Sequence, residues 1–164
     1  MPGSFHPLHD GHLKLMEVAT RIHLSSICGD GYPCFEISAV NADKPPLSVS
    51  QIKDRIKQFE KVGEVATSVL QNVKQLNPWF LLDHVTVPHH PKYYDGDYNM
   101  MLKILVGCKE TGCTFLVGGR NVDGAFKVLD DIDVPEELKG MVVSIQAEQF
   151  RMDISSTEIR NRNH

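Results

Sequence analysis

The feature that most limits how this chain can fold is the alternation of short apolar runs with helical segments. Thr114–Val117 is an uninterrupted, mostly apolar run that stops at two glycines, which is typical of a central strand in a parallel sheet. Residues 35–40 alternate in polarity like a strand, and residues 141–145 form another apolar strand. Strands alternating with helices predict an α/β fold with a mostly parallel sheet, in one domain over residues 1–164.

The most regular predicted helix covers Ser48 to Lys61. A stripe of apolar residues follows helical spacing along it and is expected to pack into the core, with charged residues on the outer side. The stripe is Val49, Ile52, Ile56 and Phe59, and the charged residues are Lys53, Asp54, Arg55 and Lys57. Other helices are predicted at about Gly11–Ile22, Tyr98–Glu110, Pro135–Lys139 and Ser155–Arg162.

The first helix follows a loop rich in glycine and proline. Asp10 is a favourable N-cap residue, so His9 is predicted just before the first turn and His12 within it. The exposed N–H groups and the positive end of the helix dipole suit a phosphate, and each imidazole can donate one more hydrogen bond. Gly3 and Gly11 are expected to let a ligand approach the backbone. The alternative interpretation is a pair of surface histidines beside a helix start.

A second pattern that suits phosphate lies near the end of the sequence. Ser155, Ser156 and Thr157 open a predicted helix, and Arg160 follows about one turn later. Their hydroxyls and the helix N–H groups can bond phosphate oxygens, and an arginine adds a planar, permanently charged fork. Plain N-capping by the hydroxyls is the alternative interpretation.

Together the two patterns resemble the signatures of the nucleotidylyltransferase superfamily. Gly3-Ser4-Phe5 followed by His9-Asp10-Gly11-His12 is similar to its Gly-Ser/Thr-Phe loop and His-or-Thr-x-Gly-His motif. Residues 154–160 resemble the Ile-Ser-Ser-Thr-x-x-Arg motif of nicotinamide-nucleotide and phosphopantetheine adenylyltransferases. The resemblance implies a Rossmann-like, doubly wound, mostly parallel sheet flanked by helices. Only Met1 and Pro2 stand where the superfamily has its first strand, so that strand is expected to be missing or truncated.

The resemblance also implies an activity. A phosphorylated acceptor attacks the α-phosphorus of a nucleoside triphosphate, and pyrophosphate leaves. The transferred group is expected to be adenylyl from ATP, with cytidylyl as the alternative, and nicotinamide mononucleotide is a candidate acceptor. Mg²⁺ is expected to arrive with the nucleotide. Residues 64–90 lack the Gly-x-Asp strand end of the family, so the alternative is a non-catalytic or degenerate nucleotide-binding module that lost its acceptor site.

The site residues follow from the same resemblance. Catalytic roles are assigned to His9, His12 and Arg160. Nucleotide contacts are expected from Gly3, Ser4, Phe5, Gly11, Lys44, Ser155, Ser156 and Thr157. His6 and Arg120 are expected near the acceptor. Arg120 follows the central strand, and ligands of doubly wound sheets lie beyond strand ends. A solvated loop lysine is the alternative for Lys44, and an exposed strand-end arginine is the alternative for Arg120.

Composition narrows the classes of partner. The net charge of −4 argues against a general nucleic-acid binder, so any phosphate site must be local. No apolar run approaches the ~20 residues that span a bilayer, and no signal peptide is recognised, so a cytoplasmic protein is expected. The four cysteines contain no Cys-x-x-Cys pair, which favours reduced thiols over a disulfide framework. The expected partners are therefore a nucleoside triphosphate and a small phosphorylated acceptor.

Overall fold

The computed structural model describes residues 1–26, 34–37, 39, 45–60, 79–83, 91–122 and 124–162. The chain divides into two compact units. The first comprises Met1–Val73 and Met152–His164, and the second comprises Lys74–Arg151. The assignments made from sequence for residues 61–78 and 84–90 lie outside the described residues.

Helices and strands alternate in the described chain as far as residue 118, as the sequence predicts for an α/β fold, and three further strands precede the last helix. In chain order they are β1 (Pro2–Gly3), α1 (Asp10–Ser26), β2 (Glu36–Ile37), α2 (Val49–Glu60), β3 (Trp79–Asp83), α3 (Tyr98–Glu110), β4 (Thr114–Gly118), β5 (Arg120–Val122), β6 (Ala125–Lys127), β7 (Val142–Ile145) and α4 (Ser156–Arg162). Short 3₁₀ turns lie at Pro91–Tyr94, Leu129–Asp131 and Glu136–Leu138. The helix predicted at Pro135–Lys139 is thus a single 3₁₀ turn.

In the first unit, β1 and β2 pair in parallel, with Pro2 opposite Glu36 and Gly3 opposite Ile37. The first strand is therefore present but only two residues long. The terminal ammonium of Met1 donates to the Cys34 carbonyl oxygen at 2.7 Å. Burial lowers the pKa of this ammonium group.

An aromatic cluster forms the centre of the first unit. Phe5 contacts Phe35 and Phe59 edge to face, with ring centroids 5.5 and 5.3 Å apart. The rings of Phe35 and Phe59 lie 5.1 Å apart. One face of α1 contributes further buried residues, Leu15, Val18 and Ala19. The cluster therefore brings β1, β2 and α2 around the residues that lead into α1.

The predicted inward face of α2 is partly wrong. Phe59 is buried as expected, but Val49 is 69% exposed and Ile56 is 44% exposed. Arg55, predicted on the outer side, is only 7% exposed. Arg55 and Phe59 are four residues apart and therefore share a helix face. The helix turns this face inward because Phe59 joins the aromatic cluster and polar side chains beside it bond the loop described below.

In the second unit, β3, β4 and β7 form a parallel sheet with β4 in the centre. Leu116 lies opposite Leu81 on one side and Val143 on the other. The prediction of a central parallel strand at Thr114–Val117 is confirmed. Helix α3 has the predicted bounds and is capped by Asp97, whose side chain accepts from the Met100 N–H. Its core contacts are Met101, Leu105, Cys113, Phe115, Leu138 and Met141.

An antiparallel hairpin of β5 and β6 follows the central strand. Arg120 lies opposite Lys127 in this hairpin. A Cβ atom on Gly119 would lie 2.6 Å from the Phe126 ring and 2.8 Å from the Lys127 carbonyl oxygen. Glycine is therefore needed where the hairpin returns against the strand end. Within the described ranges, no helix has the length and hydropathy to cross a membrane.

Candidate functional site

The candidate site is built on residues 4–9, the histidine loop, which connects β1 to α1. The His9 carbonyl oxygen accepts from the N–H groups of His12 and Leu13, at 2.9 and 3.4 Å. The His9 N–H in turn donates to Nδ1 of His12 at 3.2 Å. The bond to His12 Nδ1 is one half of a capping box, in which the side chain of the third helical residue reaches back to the cap N–H. The helix cap is therefore His9, one residue before the predicted Asp10.

The two histidines predicted at this helix start lie side by side. Their rings stack with centroids 3.7 Å apart and planes inclined by 25°. Because Nδ1 of His12 accepts a hydrogen bond, its neutral ring carries hydrogen on Nε2. His12 is thus held as a hydrogen-bond donor next to the positive end of α1, an arrangement that suits an anion.

The buried side chain of Phe5 packs against the His12 ring. Its ring meets the His12 ring edge to face, with centroids 5.1 Å apart. The side chain is only 2% exposed, and the backbone φ of 44° lies in the left-handed region that bulky residues rarely adopt. Such strain persists where surrounding contacts over-determine it, and it concentrates at functional sites. The Phe5 ring therefore packs against His12, and its predicted contact with the nucleotide stays a prediction.

Gln58 of α2 bonds the loop through both ends of its amide. Its Nε2 donates to the Phe5 carbonyl oxygen at 3.0 Å. Its Oε1 accepts from the Leu8 N–H at 2.8 Å. One half-buried side chain thus closes the loop between two backbone groups. Sequence reasoning did not identify Gln58, although it lies three residues after Arg55 and therefore shares a helix face with it.

Helix α4 bonds the next two carbonyl groups of the loop. Ser156 Oγ donates to the Pro7 carbonyl oxygen at 2.8 Å. Arg160 Nη1 donates to the His6 carbonyl oxygen, and its Nη2 donates to Thr157 Oγ1 at 2.9 Å. The two sequence patterns therefore meet in space, as predicted.

Ser155 has a different position in α4. Its Oγ accepts from the Glu158 N–H at 3.1 Å, and its carbonyl oxygen accepts from the Ile159 N–H. These are the bonds of an N-cap residue. The capping interpretation therefore describes Ser155 in this structure, and its predicted phosphate contact stays a prediction.

Arg55 was predicted on the outer side of α2, but its side chain is buried and contacts the histidine loop. Its Nη1 bonds Nδ1 of His6. Burial lowers the pKa of Arg55, and the nearby charge of Arg160 lowers it further. In the described part of the chain, no carboxylate forms an ion pair with either guanidinium. Two cations on one loop residue favour an anion at this place.

The glycines of the motif have a packing role. A Cβ atom on Gly11 would lie 2.8 Å from Ile154 Cγ2 and 3.0 Å from the His9 ring. A Cβ atom on Gly3 would lie 2.8 Å from the Phe5 ring. Glycine is therefore required at both positions for packing, and the predicted approach of a ligand to their backbone stays a prediction.

The structure says less about three further residues of the predicted site, Ser4, Lys44 and Arg120. Ser4 is half-buried between β1 and Phe5. Lys44 lies outside the described residues. Arg120 is half-buried in the hairpin of the second unit, where the Arg151 guanidinium stacks 5.0 Å above the Phe126 ring. The predictions for Lys44 and Arg120 therefore stay predictions.

The donor set of the histidine loop suits phosphate oxygens better than a metal ion. Imidazole, hydroxyl and guanidinium groups surround it, and a guanidinium group has hydrogen-bond donors but no lone pair to offer a cation. Over the described ranges, no group of three His, Cys, Asp or Glu side chains is placed to hold a metal ion. The loop therefore offers Mg²⁺ no cage of its own.

Paired histidines at a helix start and an arginine-bearing last helix meet on the same loop of an α/β domain. The model of the cytidylyltransferase-like family matches residues 1–162 of the chain. The chain belongs to this family and is a nucleotidylyltransferase-like domain of the Rossmann-like α/β type. Membership supports nucleotidyltransferase activity as a general class. Comparison with curated proteins and with solved structures gives no significant match.

Proposed function

We propose that the protein transfers an adenylyl group from ATP to a small phosphorylated acceptor and releases pyrophosphate. The observation that carries this proposal is the meeting of His12 and Arg160 at the histidine loop, where donors and positive charge converge. Family membership supports the class of reaction. The adenylyl preference depends on the likeness of residues 154–160 to the adenylyltransferase motif, and nicotinamide mononucleotide is the first acceptor to test.

In the proposed reaction, an oxygen of the acceptor phosphate attacks the α-phosphorus. The bond from that phosphorus to the bridging oxygen breaks, and pyrophosphate leaves with the electron pair. The attacking phosphate is already an anion, so no general base is required. The protein contributes mainly by positioning the reactants and by donating to oxygens that gain charge. His12 donates from Nε2, His9 adds a second imidazole, and Arg160 adds fixed charge.

Further parts of the proposal come from the sequence. We propose a doubly wound sheet for the complete fold, with Lys44 near the nucleotide phosphates and with His6 and Arg120 near the acceptor. Mg²⁺ would bind the nucleotide phosphates and neutralise part of their charge. A nucleoside triphosphate and a small acceptor in the cytoplasm are the proposed partners.

The test is release of pyrophosphate. Purified protein is mixed with ATP and Mg²⁺, with or without nicotinamide mononucleotide or other phosphorylated acceptors, and a parallel series contains CTP. Acceptor-dependent release with ATP, abolished in the Arg160→Ala variant, supports the proposal. Release with CTP alone reverses the base preference. No release with any acceptor contradicts catalysis.

The second candidate is a nucleotide-binding module without transferase activity. It is favoured by residues 64–90, which lack the Gly-x-Asp element found in family members. This candidate predicts that ATP binds, and that His12→Ala weakens binding, without any turnover. Calorimetric titration with ATP beside the pyrophosphate assay separates the two functions.

A further inference from the structure

Gln58 connects two backbone groups of the histidine loop that no regular element connects. The amide nitrogen bonds the Phe5 carbonyl oxygen at 3.0 Å and the amide oxygen bonds the Leu8 N–H at 2.8 Å. Both distances are those of good hydrogen bonds. The side chain thus takes the place of the backbone hydrogen bond that would close an ordinary turn.

The carbonyl group that Gln58 holds belongs to the strained residue of the loop. Phe5 has a φ of 44° without being glycine, and the rest of the loop follows directly from this bend. Phe59, the next residue of α2, packs its ring against the Phe5 ring at 5.3 Å. Adjacent side chains of one helix therefore hold the backbone and the ring of Phe5.

The bend determines where the imidazoles lie. His9 caps α1 and His12 follows in its first turn, so their positions depend on the path of residues 5–8. The α4 donors reach the same segment at its His6 and Pro7 carbonyl oxygens. If the loop changed conformation at Phe5, the histidines and the α4 side chains would no longer be held in the same arrangement.

We infer that Gln58 is a positioning residue, which fixes the histidine loop in the conformation that binds the nucleotide. The nucleotide-binding part of this inference rests on the proposed function, whereas the part that concerns the loop conformation rests on the hydrogen bonds of Gln58. Glutamine supplies one donor and one acceptor on a neutral group, which is what a carbonyl oxygen and an N–H require together. Glutamate keeps only the acceptor at neutral pH, and methionine keeps neither.

The test compares Gln58→Met and Gln58→Glu with the matched control Gln51→Met. Gln51 lies on the same helix, and its Oε1 also accepts from a backbone N–H, that of Ser48 at 2.8 Å. Each variant is measured for thermal midpoint, ATP affinity by calorimetry, and exchange of the Leu8 amide hydrogen by NMR. Both methionine variants lose backbone hydrogen bonds, so a lowered midpoint alone does not distinguish them.

Gln58→Met should bind ATP about tenfold more weakly and exchange the Leu8 amide faster, because two loop bonds are lost. Gln58→Glu should keep the Leu8 amide protected and still weaken ATP binding. Gln51→Met should leave ATP affinity and Leu8 exchange unchanged. Unchanged affinity in Gln58→Met, beside wild-type protein that binds ATP, overturns the positioning role alone. Wild-type protein that binds no ATP overturns the proposed function and this inference together, while Leu8 exchange then reports only on the loop.

Discussion

Ser156 Oγ donates a hydrogen bond to the Pro7 carbonyl oxygen at 2.8 Å, although the two residues are 149 positions apart. The bond holds α4 on the histidine loop. It also uses the hydroxyl hydrogen that the sequence motif assigned to phosphate. In this conformation Ser156 holds the loop, and its hydroxyl oxygen can only accept further hydrogen bonds.

Replacing Ser156 by alanine should lower the free energy of unfolding by about 1 kcal/mol, the usual contribution of one hydrogen bond. ATP binding should also weaken, because the loop loses a contact. Ser48→Ala is the matched control, since its hydroxyl accepts from the Gln51 N–H at 3.2 Å and caps α2. Urea denaturation and ATP titration measure the two effects. Equal ATP affinity in the two variants would contradict this role for Ser156.

His12 accepts from the His9 N–H at the start of α1, and we propose that it also donates to a ligand. His12→Ala should lose both, with a stability loss of about 1 kcal/mol and a kcat loss of roughly 10²–10³-fold. His12→Gln keeps an acceptor for the His9 N–H, because glutamine at this position also completes a capping box. Its stability should therefore approach that of the wild type while activity stays low. Thermal denaturation and the pyrophosphate assay decide, and full activity in His12→Gln would exclude the imidazole from the reaction.

Gly11→Ala should destabilise the protein, because its Cβ atom would approach Ile154 Cγ2 to 2.8 Å. A loss of about 1–3 kcal/mol is expected for such overpacking. Gly107→Ala is a matched control in α3, where no atom lies within 4 Å of the new Cβ atom. That change should stabilise by roughly 0.5–1 kcal/mol, since alanine favours the helix over glycine. Urea denaturation that gives both substitutions the same sign would refute the packing argument.

Arg55→Met should stabilise the protein without nucleotide by about 1 kcal/mol, because it removes a buried cation near Arg160. The same change should weaken ATP binding, because an anion loses a nearby positive charge. Lys57→Met removes the same charge from an exposed side chain of α2 and should change neither quantity. Calorimetry and thermal denaturation test both variants. A destabilised Arg55→Met with unchanged ATP affinity would show that Arg55 is only structural.

Cys113 should make the protein less stable in alkali. Burial raises the pKa of its thiol in the folded state, and Cys108 raises it further. The unfolded thiol ionises near its ordinary pKa of about 8.5, so the contribution is complete below that pH and is lost as the pH rises through the folded pKa. Urea denaturation of wild-type and Cys113→Ala proteins at pH 7 and pH 10 measures it. A stability loss of equal size in both would argue against Cys113 as a source.

Local patterns predicted the second unit well. The bounds of α3 follow from the cap at Asp97 and the spacing of Met101 and Leu105, and β4 follows from a run that is apolar on both faces. These signals lie within a few residues of each other. Packing in the described part of the unit agrees with them.

The inward face of α2 was less predictable, because tertiary contacts decide it. Its apolar stripe pointed to Ile56, whereas Arg55 and Gln58 turn inward to bond the histidine loop about 50 residues earlier. The sequence motifs indicated which segments form the site. They did not show which side chains hold the loop, because those bonds depend on how distant segments meet.

Hydrogen bonds from α2 and α4 reach the histidine loop at main-chain atoms, namely the carbonyl oxygens of Phe5, His6 and Pro7 and the Leu8 N–H. Hydrogen bonds to main-chain atoms do not depend on the identity of most side chains in the loop. A combinatorial library at Ser4 should therefore retain the loop geometry, which makes this position a suitable starting point for altering the ligand preference of the proposed site.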